Sequence, residues 1–148
     1  MQLTRAADYA IRVMIHMASL PAGSRFPLGE LAIAVAVPES FLSKVLQTLT
    51  RAGFLLSRRG ADGGFELAPG KADVSMLDVV QAIDGPIQLN VCLRSEESCE
   101  RVEQCAAHPV WEQAQAAMLA VLGKALIAEL GKRSQLAKTE VPVAVSIP

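Results

Sequence analysis

The sequence predicts a mainly α-helical fold with one small β-hairpin, and three observations support this prediction. Apolar residues recur at helical spacing in five separate stretches of the chain. Two short apolar runs, residues 54–57 and 65–68, flank the glycine-rich turn 60–64, which is the pattern of a hairpin. The composition, 51% hydrophobic and 20% charged over 148 residues, is typical of a compact domain and excludes a wholly disordered chain.

The first helix is predicted over residues 4–20. Thr4 is a suitable N-cap, because its side chain can accept a hydrogen bond from a free backbone N–H. The apolar residues that follow at helical spacing are Ala7, Ala10, Ile11, Met14, Met17 and Ala18. Pro21, Gly23 and Pro27 then predict a loop.

Two further helices are predicted over residues 28–36 and 39–52, with Pro38 between them. The first is almost wholly apolar, so we expect it to pack against the second instead of facing water. The second has a buried stripe that consists of Leu42, Val45, Leu46 and Leu49. Its other side carries Ser40, Ser43, Lys44 and Gln47, and Gly53 is its predicted C-cap.

The second half of the chain is predicted to be helical at two places. Residues 73–83 have the period of a short helix, whereas residues 87–108 show no period and contain all three cysteines. A long helix is predicted from residue 109 to about residue 130, with Gly131 as its stop. Residues 132–148 are expected to form a mobile tail.

The order of helix, helix, short turn, helix and hairpin predicts a winged helix-turn-helix, a unit that binds DNA. The small polar face of 39–52 is suited to the major groove, which is about 12 Å wide. Arg58 and Arg59 lie beside the hairpin turn, where they would reach phosphates or a narrow minor groove. The alternative is that these residues form an ordinary solvated surface.

The charge distribution agrees with a DNA-binding first half. The whole chain has a net charge of −1, but residues 1–60 contain seven basic and three acidic residues. This surplus of cations is modest, so we expect DNA affinity to depend on dimerisation and on salt concentration.

The cysteines, Cys92, Cys99 and Cys105, are followed by His108 in the same irregular segment. Their gaps of six and five residues are wider than the short pairs that hold structural zinc. Three thiolates on such a loop suit an iron–sulfur cluster, with His108 or Asp8 of a partner subunit as the fourth ligand. A metal-free redox switch, in which two thiols form a disulfide, remains open, as do three incidental thiols.

The predicted long helix has a wide apolar face, which includes Val110, Trp111, Ala114, Ala117, Met118, Val121, Leu122, Ala125 and Leu126. We expect it to pair with the same helix of a second chain, although packing within one chain is the alternative. The sequence shows no nucleophile–base pair, phosphate loop or convergent carboxylates, so an enzyme is not expected. The absence of a signal pattern and of a membrane-spanning apolar run predicts a cytoplasmic location.

Six sequence features occur in a recognisable order along the chain. They are Met1-Gln2-Leu3-Thr4 with Asp8-Tyr9-Ala10, Ser40-Phe41-Leu42 to Leu49, Arg51-Ala52-Gly53-Phe54, Arg59-Gly60 with Gly63-Gly64-Phe65, residues 77–86, and the three cysteines. In this order they resemble the bacterial iron–sulfur winged-helix repressors of the IscR and NsrR type, over about residues 1–130.

The resemblance implies a homodimer that binds a palindromic operator. It implies a cluster held by the three cysteines, with His108 as in the IscR type, [2Fe–2S], or Asp8 of the partner subunit as in the NsrR type, [4Fe–4S]. The residues implied to face the major groove are Ser40, Phe41, Ser43, Lys44 and Gln47, and Arg59 would enter the minor groove. Ser43 stands where IscR-type readers have glutamate, and the first cysteine gap differs from the IscR spacing by one residue.

The sequence therefore predicts four parts: a DNA-binding domain (1–85), a cluster loop (86–108), a dimerisation helix (109–131) and a tail (132–148). The predicted function is transcription regulation, as a repressor whose operator binding responds through a cluster to nitric oxide, redox or iron–sulfur status. The alternatives are a cluster-free thiol-switch regulator and an accessory protein of iron–sulfur assembly.

Overall fold

A computed structural model describes residues 2–139 of the chain, except for the side chains at 96 and 139. Within this range the helices and strands follow in the order α1 (Arg5–Ala18), β1 (Arg25–Phe26), α2 (Leu28–Val35), α3 (Glu39–Arg51), β2 (Leu55–Arg58), β3 (Gly64–Leu67), α4 (Met76–Asp84), α5 (His108–Lys124) and α6 (Ile127–Thr139). The prediction of a mainly helical fold with a small β element is confirmed.

The predicted N-cap of α1 is confirmed. The Thr4 hydroxyl accepts a hydrogen bond from the Ala7 N–H at 3.1 Å, which satisfies one of the free donors of the first turn. The same hydroxyl donates to Asp84 at 2.5 Å, and the Thr4 N–H donates to the other oxygen of that carboxylate at 3.1 Å. Thr4 therefore joins the start of α1 to the end of α4.

Helices α2 and α3 form the predicted pair around Pro38. Helix α2 ends at Val35, because Ala36 takes a left-handed conformation with φ of 54° that turns the chain toward α3. The predicted apolar stripe of α3 is buried, and it joins α1, α2 and α4 in one core. The core consists of Ala7, Ala10, Ile11, Val13, Met14, Met17, Leu31, Ala32, Val35, Val37, Leu42, Val45, Leu46, Leu49, Phe54, Leu55, Val79, Val80, Ile87 and Ile127.

The β element is a three-stranded antiparallel sheet in the order β1-β3-β2, so the prediction of a two-stranded hairpin was incomplete. Strand β1 was predicted to be a loop, because two residues are too few to show an alternating pattern. Arg25 lies opposite Glu66, and Phe26 lies opposite Phe65. Gly64 has φ of +139°, and a Cβ there would stand 2.5 Å from the Phe26 carbonyl oxygen, so glycine permits this close approach.

Helix α4 begins three residues later than predicted, after a 3-10 turn at Lys71–Asp73. Ser75 and Asp78 form a capping box. The Ser75 hydroxyl accepts from the Asp78 N–H at 3.1 Å, and the Asp78 carboxylate accepts from the Ser75 N–H at 2.8 Å.

The prediction of one long helix from 109 to 130 was wrong. Helix α5 ends at Lys124, and the next residues cross the start of α4 as an extended segment. There the Met76 N–H donates to the Ala125 carbonyl at 2.8 Å, and the Ile127 N–H donates to the Val74 carbonyl at 2.9 Å. These two hydrogen bonds replace those that a continuous helix would make at this point.

Helix α6 packs against α1 and corrects two further predictions. Gly131 does not stop a helix but lies inside α6, where a Cβ would stand 2.9 Å from the Ala18 carbonyl carbon. Residues 132–139, predicted as the beginning of a mobile tail, belong to α6, and residues 140–148 lie outside the described residues. None of the helices described here is long and apolar enough to cross a membrane.

Candidate nucleic-acid interface and cysteine cavity

The residues of α3 that are predicted to contact the major groove lie within its first nine residues, 39–47. Ser40, Phe41, Lys44 and Gln47 are exposed, and Ser43 is half-buried. Phe41 leaves 58% of its surface in solvent, so its ring is accessible to a ligand. The other side of α3 is buried, so the helix is fixed while this face remains open to a ligand.

In the wing, which is the three-stranded sheet, the two predicted arginines Arg58 and Arg59 have different surroundings. Glu66, whose side chain is only 12% exposed, lies 3.1 Å from the Arg25 guanidinium and 3.6 Å from that of Arg58. Arg25 also donates to the Asp62 carbonyl at 2.9 Å, which fastens β1 to the turn. Among the described carboxylates none lies within 4 Å of Arg59, so Arg59 is the wing cation left for an external anion.

Sequence reasoning missed Glu66 and Arg25 as parts of the wing. A strand assignment for Arg25 would have revealed them, because opposite charges on paired strands are a common cross-strand contact. The sequence pattern for this strand was weak because β1 contains only two residues.

The three cysteines converge on one cavity of about 230 Å³, which we call the cysteine cavity. Its lining consists of Asn90, Val91, Cys92, Ser98, Cys99, Val102, Cys105, His108 and Trp111. All three cysteines are free thiols and half-buried. Short 3-10 turns at Val91–Leu93 and Val102–Gln104 fold the loop so that residues 13 positions apart in sequence face the same space.

His108 is the first residue of α5, and its imidazole lines the cysteine cavity. Its backbone N–H donates to the Cys105 carbonyl at 3.1 Å. Its Nε2 lies 3.5 Å from a Glu112 carboxylate oxygen, whereas its buried Nδ1 has no hydrogen-bond partner. A buried nitrogen without a partner is costly, so the Nδ1 atom of His108 calls for an explanation.

Asp8, the other predicted fourth ligand, does not line the cysteine cavity of its own chain. It forms an ion pair of 2.8 Å with Arg12, one turn further along α1. The Arg12 guanidinium also lies 5.7 Å from the centre of the Tyr9 ring. Across the described residues, no three His, Cys, Asp or Glu side chains are arranged to hold a metal ion.

His16 belongs neither to the exposed face of α3 nor to the cysteine cavity. Partial burial, with a smaller contribution from Lys138, lowers its pKa below the ordinary value for histidine. Its ring packs edge-on against Phe26 at 5.7 Å. The lowered pKa favours the neutral ring, and His16 serves as a packing residue beside Phe26.

Comparison with known families identifies the chain. The profile of the family described as Rrf2, iron-dependent transcriptional regulator, matches residues 3–133. The chain belongs to the Rrf2 family. The expectation of a transcription regulator and not an enzyme is thereby confirmed.

Solved structures of Rrf2-type regulators share this fold. The global cysteine regulator CymR of B. subtilis matches with a TM-score of 0.73 and 22% identity, over 90% of this chain and 98% of that one. IscR of T. potens matches with a TM-score of 0.73 and 21% identity, over 93% and 91%. The oxidised form of Staphylococcus aureus CymR matches with a TM-score of 0.66 and 22% identity, over 89% and 97%. At these identities the matches establish the winged-helix fold of the family.

Proposed function

We propose that this Rrf2 protein is a homodimeric repressor that binds a palindromic operator and is controlled by an iron–sulfur cluster at the cysteine cavity. The observation that carries the proposal is the convergence of Cys92, Cys99, Cys105 and His108 on that cavity. The exposed face of α3 and the free Arg59 would contact DNA. We propose a cytoplasmic location in keeping with this role. The signal would be nitric oxide, redox state or iron–sulfur supply.

The residues of the cysteine cavity fit a cluster by their chemistry. Thiolates are the usual ligands of iron–sulfur clusters, and imidazole replaces thiolate in some of them. The unpartnered Nδ1 of His108 favours this residue as the fourth ligand. Asp8 of the partner subunit is the alternative. A bound cluster would supply iron-based reactivity toward oxidants and nitric oxide, which differs from that of free thiols.

The loop is connected to α5 at two points, and these connections support control of the dimer. The Cys105 carbonyl accepts from the first residue of α5, and the Leu89 N–H donates to the Gln115 side chain at 2.9 Å. Any change in the loop therefore acts on the position of α5. Because half-sites on DNA are about one helical turn apart, a change in dimer geometry would alter operator affinity.

Helix α5 has the surface of a dimerisation helix. None of its residues is buried, and Val110 and Val121 are 63% and 69% exposed. Val110, Ala114, Ala117 and Val121 are spaced at i, i+4, i+7 and i+11, so they share one face. An apolar face of this kind is favoured to pair with a second copy.

The cluster is tested by purifying the protein without oxygen and counting iron and acid-labile sulfide per chain. We expect visible absorption, with about two or four irons per chain distinguishing the cluster types. Single Cys92→Ser, Cys99→Ser and Cys105→Ser variants should lose iron, whereas Ser98→Ala, which changes the same cavity without removing a thiol, should retain it. A colourless parent with no iron would contradict the cluster.

The fourth ligand is tested in the same preparation. We expect His108→Ala to lose or alter the visible spectrum and Asp8→Ala to leave it unchanged. The reverse result would assign the ligand to Asp8 of the partner subunit.

A cluster-free thiol switch is the second candidate. Three half-exposed free thiols share one cavity, and a fold relative, CymR, exists in an oxidised form. In this case iron-free protein should lose two thiols per chain on peroxide treatment, with a parallel change in operator affinity. The Cys→Ser variants at the two paired positions should abolish that response.

DNA binding is tested by selecting duplexes from a random pool and measuring affinity for the selected site. We expect a palindromic site, and Lys44→Ala should weaken binding, whereas Arg133→Ala, which removes the same charge on α6, should not. If no sequence is enriched and the protein transfers iron to an acceptor, an assembly accessory protein replaces the regulator.

A further inference from the structure

A second cavity, of about 210 Å³, lies between α1, α3 and the end of α4, and the proposed function assigns no ligand to it. We call it the α1–α3 pocket. Its lining consists of Arg5, Ala6, Tyr9, Phe41, Lys44, Val45, Thr48 and Ile83. It is smaller than the ~300 Å³ at which drug-sized pockets begin, so it suits a small ligand.

The lining of the α1–α3 pocket is mostly apolar and includes two aromatic side chains. Ala6, Val45 and Ile83 are aliphatic, and Tyr9 and Phe41 add two rings. An apolar cavity is poorly satisfied by water and gains free energy when an apolar group enters. Aromatic side chains favour an aromatic guest, because offset and edge-to-face ring contacts add to the burial of surface.

The charges of the α1–α3 pocket are all positive. Arg5 and Lys44 line it, and neither lies within 4 Å of a described carboxylate. The two nearby acids in sequence are engaged elsewhere, since Asp8 pairs with Arg12 and Asp84 accepts from Thr4. The pocket thus combines an apolar interior with two uncompensated cations.

We propose that the α1–α3 pocket binds a small aromatic monocarboxylate, whose ring enters the apolar interior and whose carboxylate pairs with Arg5 and Lys44. Phe41 and Lys44 belong both to this pocket and to the face of α3 that would contact DNA. The bound acid therefore competes with the operator and acts as an inducer independent of the cysteine cavity. Only this last step rests on the proposed DNA-binding function.

The binding step is tested on the full-length protein without DNA, by calorimetry and by amide chemical-shift mapping with indole-3-acetate. We expect saturable binding, with the largest shifts at Arg5, Ala6, Tyr9 and Ile83. The neutral indole-3-acetamide should bind about three- to fivefold more weakly, since each exposed ion pair contributes little. Shifts centred elsewhere, or equal affinity for acid and amide, would overturn the proposal.

A cavity-filling variant gives a second test. Ala6→Leu places a larger side chain in the α1–α3 pocket and should abolish binding of the acid, whereas Ala34→Leu on an exposed site of α2 should not. The acid should lower operator affinity of the parent and leave that of Ala6→Leu unchanged. If the protein binds its operator but not the acid, the proposed pocket is refuted and the proposed function is not. If the protein binds the acid but no operator is found, only the inducer role is refuted.

Discussion

At the scale of single residues, the capping box of α4 shows how one carboxylate fixes a helix start. The Ser75 hydroxyl donates to Asp78 at 2.7 Å and the Ser75 N–H donates at 2.8 Å. These hydrogen bonds, with a smaller contribution from Lys71, hold the pKa of Asp78 below its ordinary value. The charged form of Asp78 is therefore favoured by folding.

This lowered pKa predicts a pH dependence of stability. A carboxyl group whose pKa is depressed by folding stabilises the native state above its unfolded pKa of about 3.9, and this contribution is lost as pH falls through the folded value. Asp78→Asn should lower the free energy of unfolding by about 0.3–1 kcal/mol at pH 7. The difference from the parent should shrink below about pH 4 in urea denaturation. Asp73→Asn serves as the control, and a difference that stays constant with pH would contradict the capping role.

At the scale of elements, the neighbouring arginines Arg58 and Arg59 of the wing differ in whether a carboxylate pairs with them. Glu66 binds Arg58 within the sheet, whereas Arg59 is left for solvent or DNA. An ion pair within the wing reduces what Arg58 can contribute to an external phosphate, because its charge is already partly compensated.

The wing predicts unequal effects of two neighbouring substitutions. Arg59→Ala should weaken operator binding and lower the salt slope of log K by about 1, as expected for one phosphate contact. Arg58→Ala should have the smaller effect on both quantities. Operator affinity measured at several salt concentrations checks this, with Arg133→Ala as the charge control. A larger effect of Arg58→Ala than of Arg59→Ala would contradict the prediction and would show that Arg58 leaves Glu66 when DNA binds.

The contact between α6 and α1 depends on a glycine. A side chain at Gly131 would meet the backbone of Ala18 at 2.9 Å, so Gly131→Ala should lower the free energy of unfolding by about 1–3 kcal/mol. Gly123→Ala in α5 is the matched control, since its Cβ would meet Leu77 at an ordinary 3.7 Å. Thermal unfolding of both variants measures the difference. Equal stability of the two would mean that α6 does not pack closely on α1 in solution.

The elements that could be predicted from sequence are those whose signals are local. The Thr4 cap, the stripe of α3 and the grouping of three cysteines with His108 each depend on residues close together in the chain. The break after α5 depends instead on hydrogen bonds of Ala125 and Ile127 to residues near Ser75, about 50 positions away, which no helical period reveals. Gly131 was misread for the same reason, because its role is set by the distant Ala18.

At the scale of the whole molecule, the proposed homodimer would use the unburied apolar face of α5. A charge placed in an apolar interface is costly to desolvate. Val121→Glu should therefore raise the dimer dissociation constant at least about tenfold, which corresponds to ~1.4 kcal/mol. Sedimentation velocity over a concentration series measures this.

The control for the dimer experiment is Ala34→Glu, which adds the same charge at an exposed position of α2. It should leave the sedimentation of the parent unchanged, and helicity by circular dichroism should be the same in all three proteins. A Val121→Glu protein that remains as dimeric as the parent would place the interface elsewhere.

The segment that crosses the start of α4 gives α5 the properties of a lever. Backbone hydrogen bonds at Ala125 and Ile127 hold one end of this 17-residue helix, so that end is the pivot. The cysteine end lies about 25 Å away at ~1.5 Å per residue. A displacement of about 1 Å there corresponds to only ~2° of tilt at the pivot. Under the proposed function, a chemical change in the loop would therefore produce only a slight rotation of α5 as a whole.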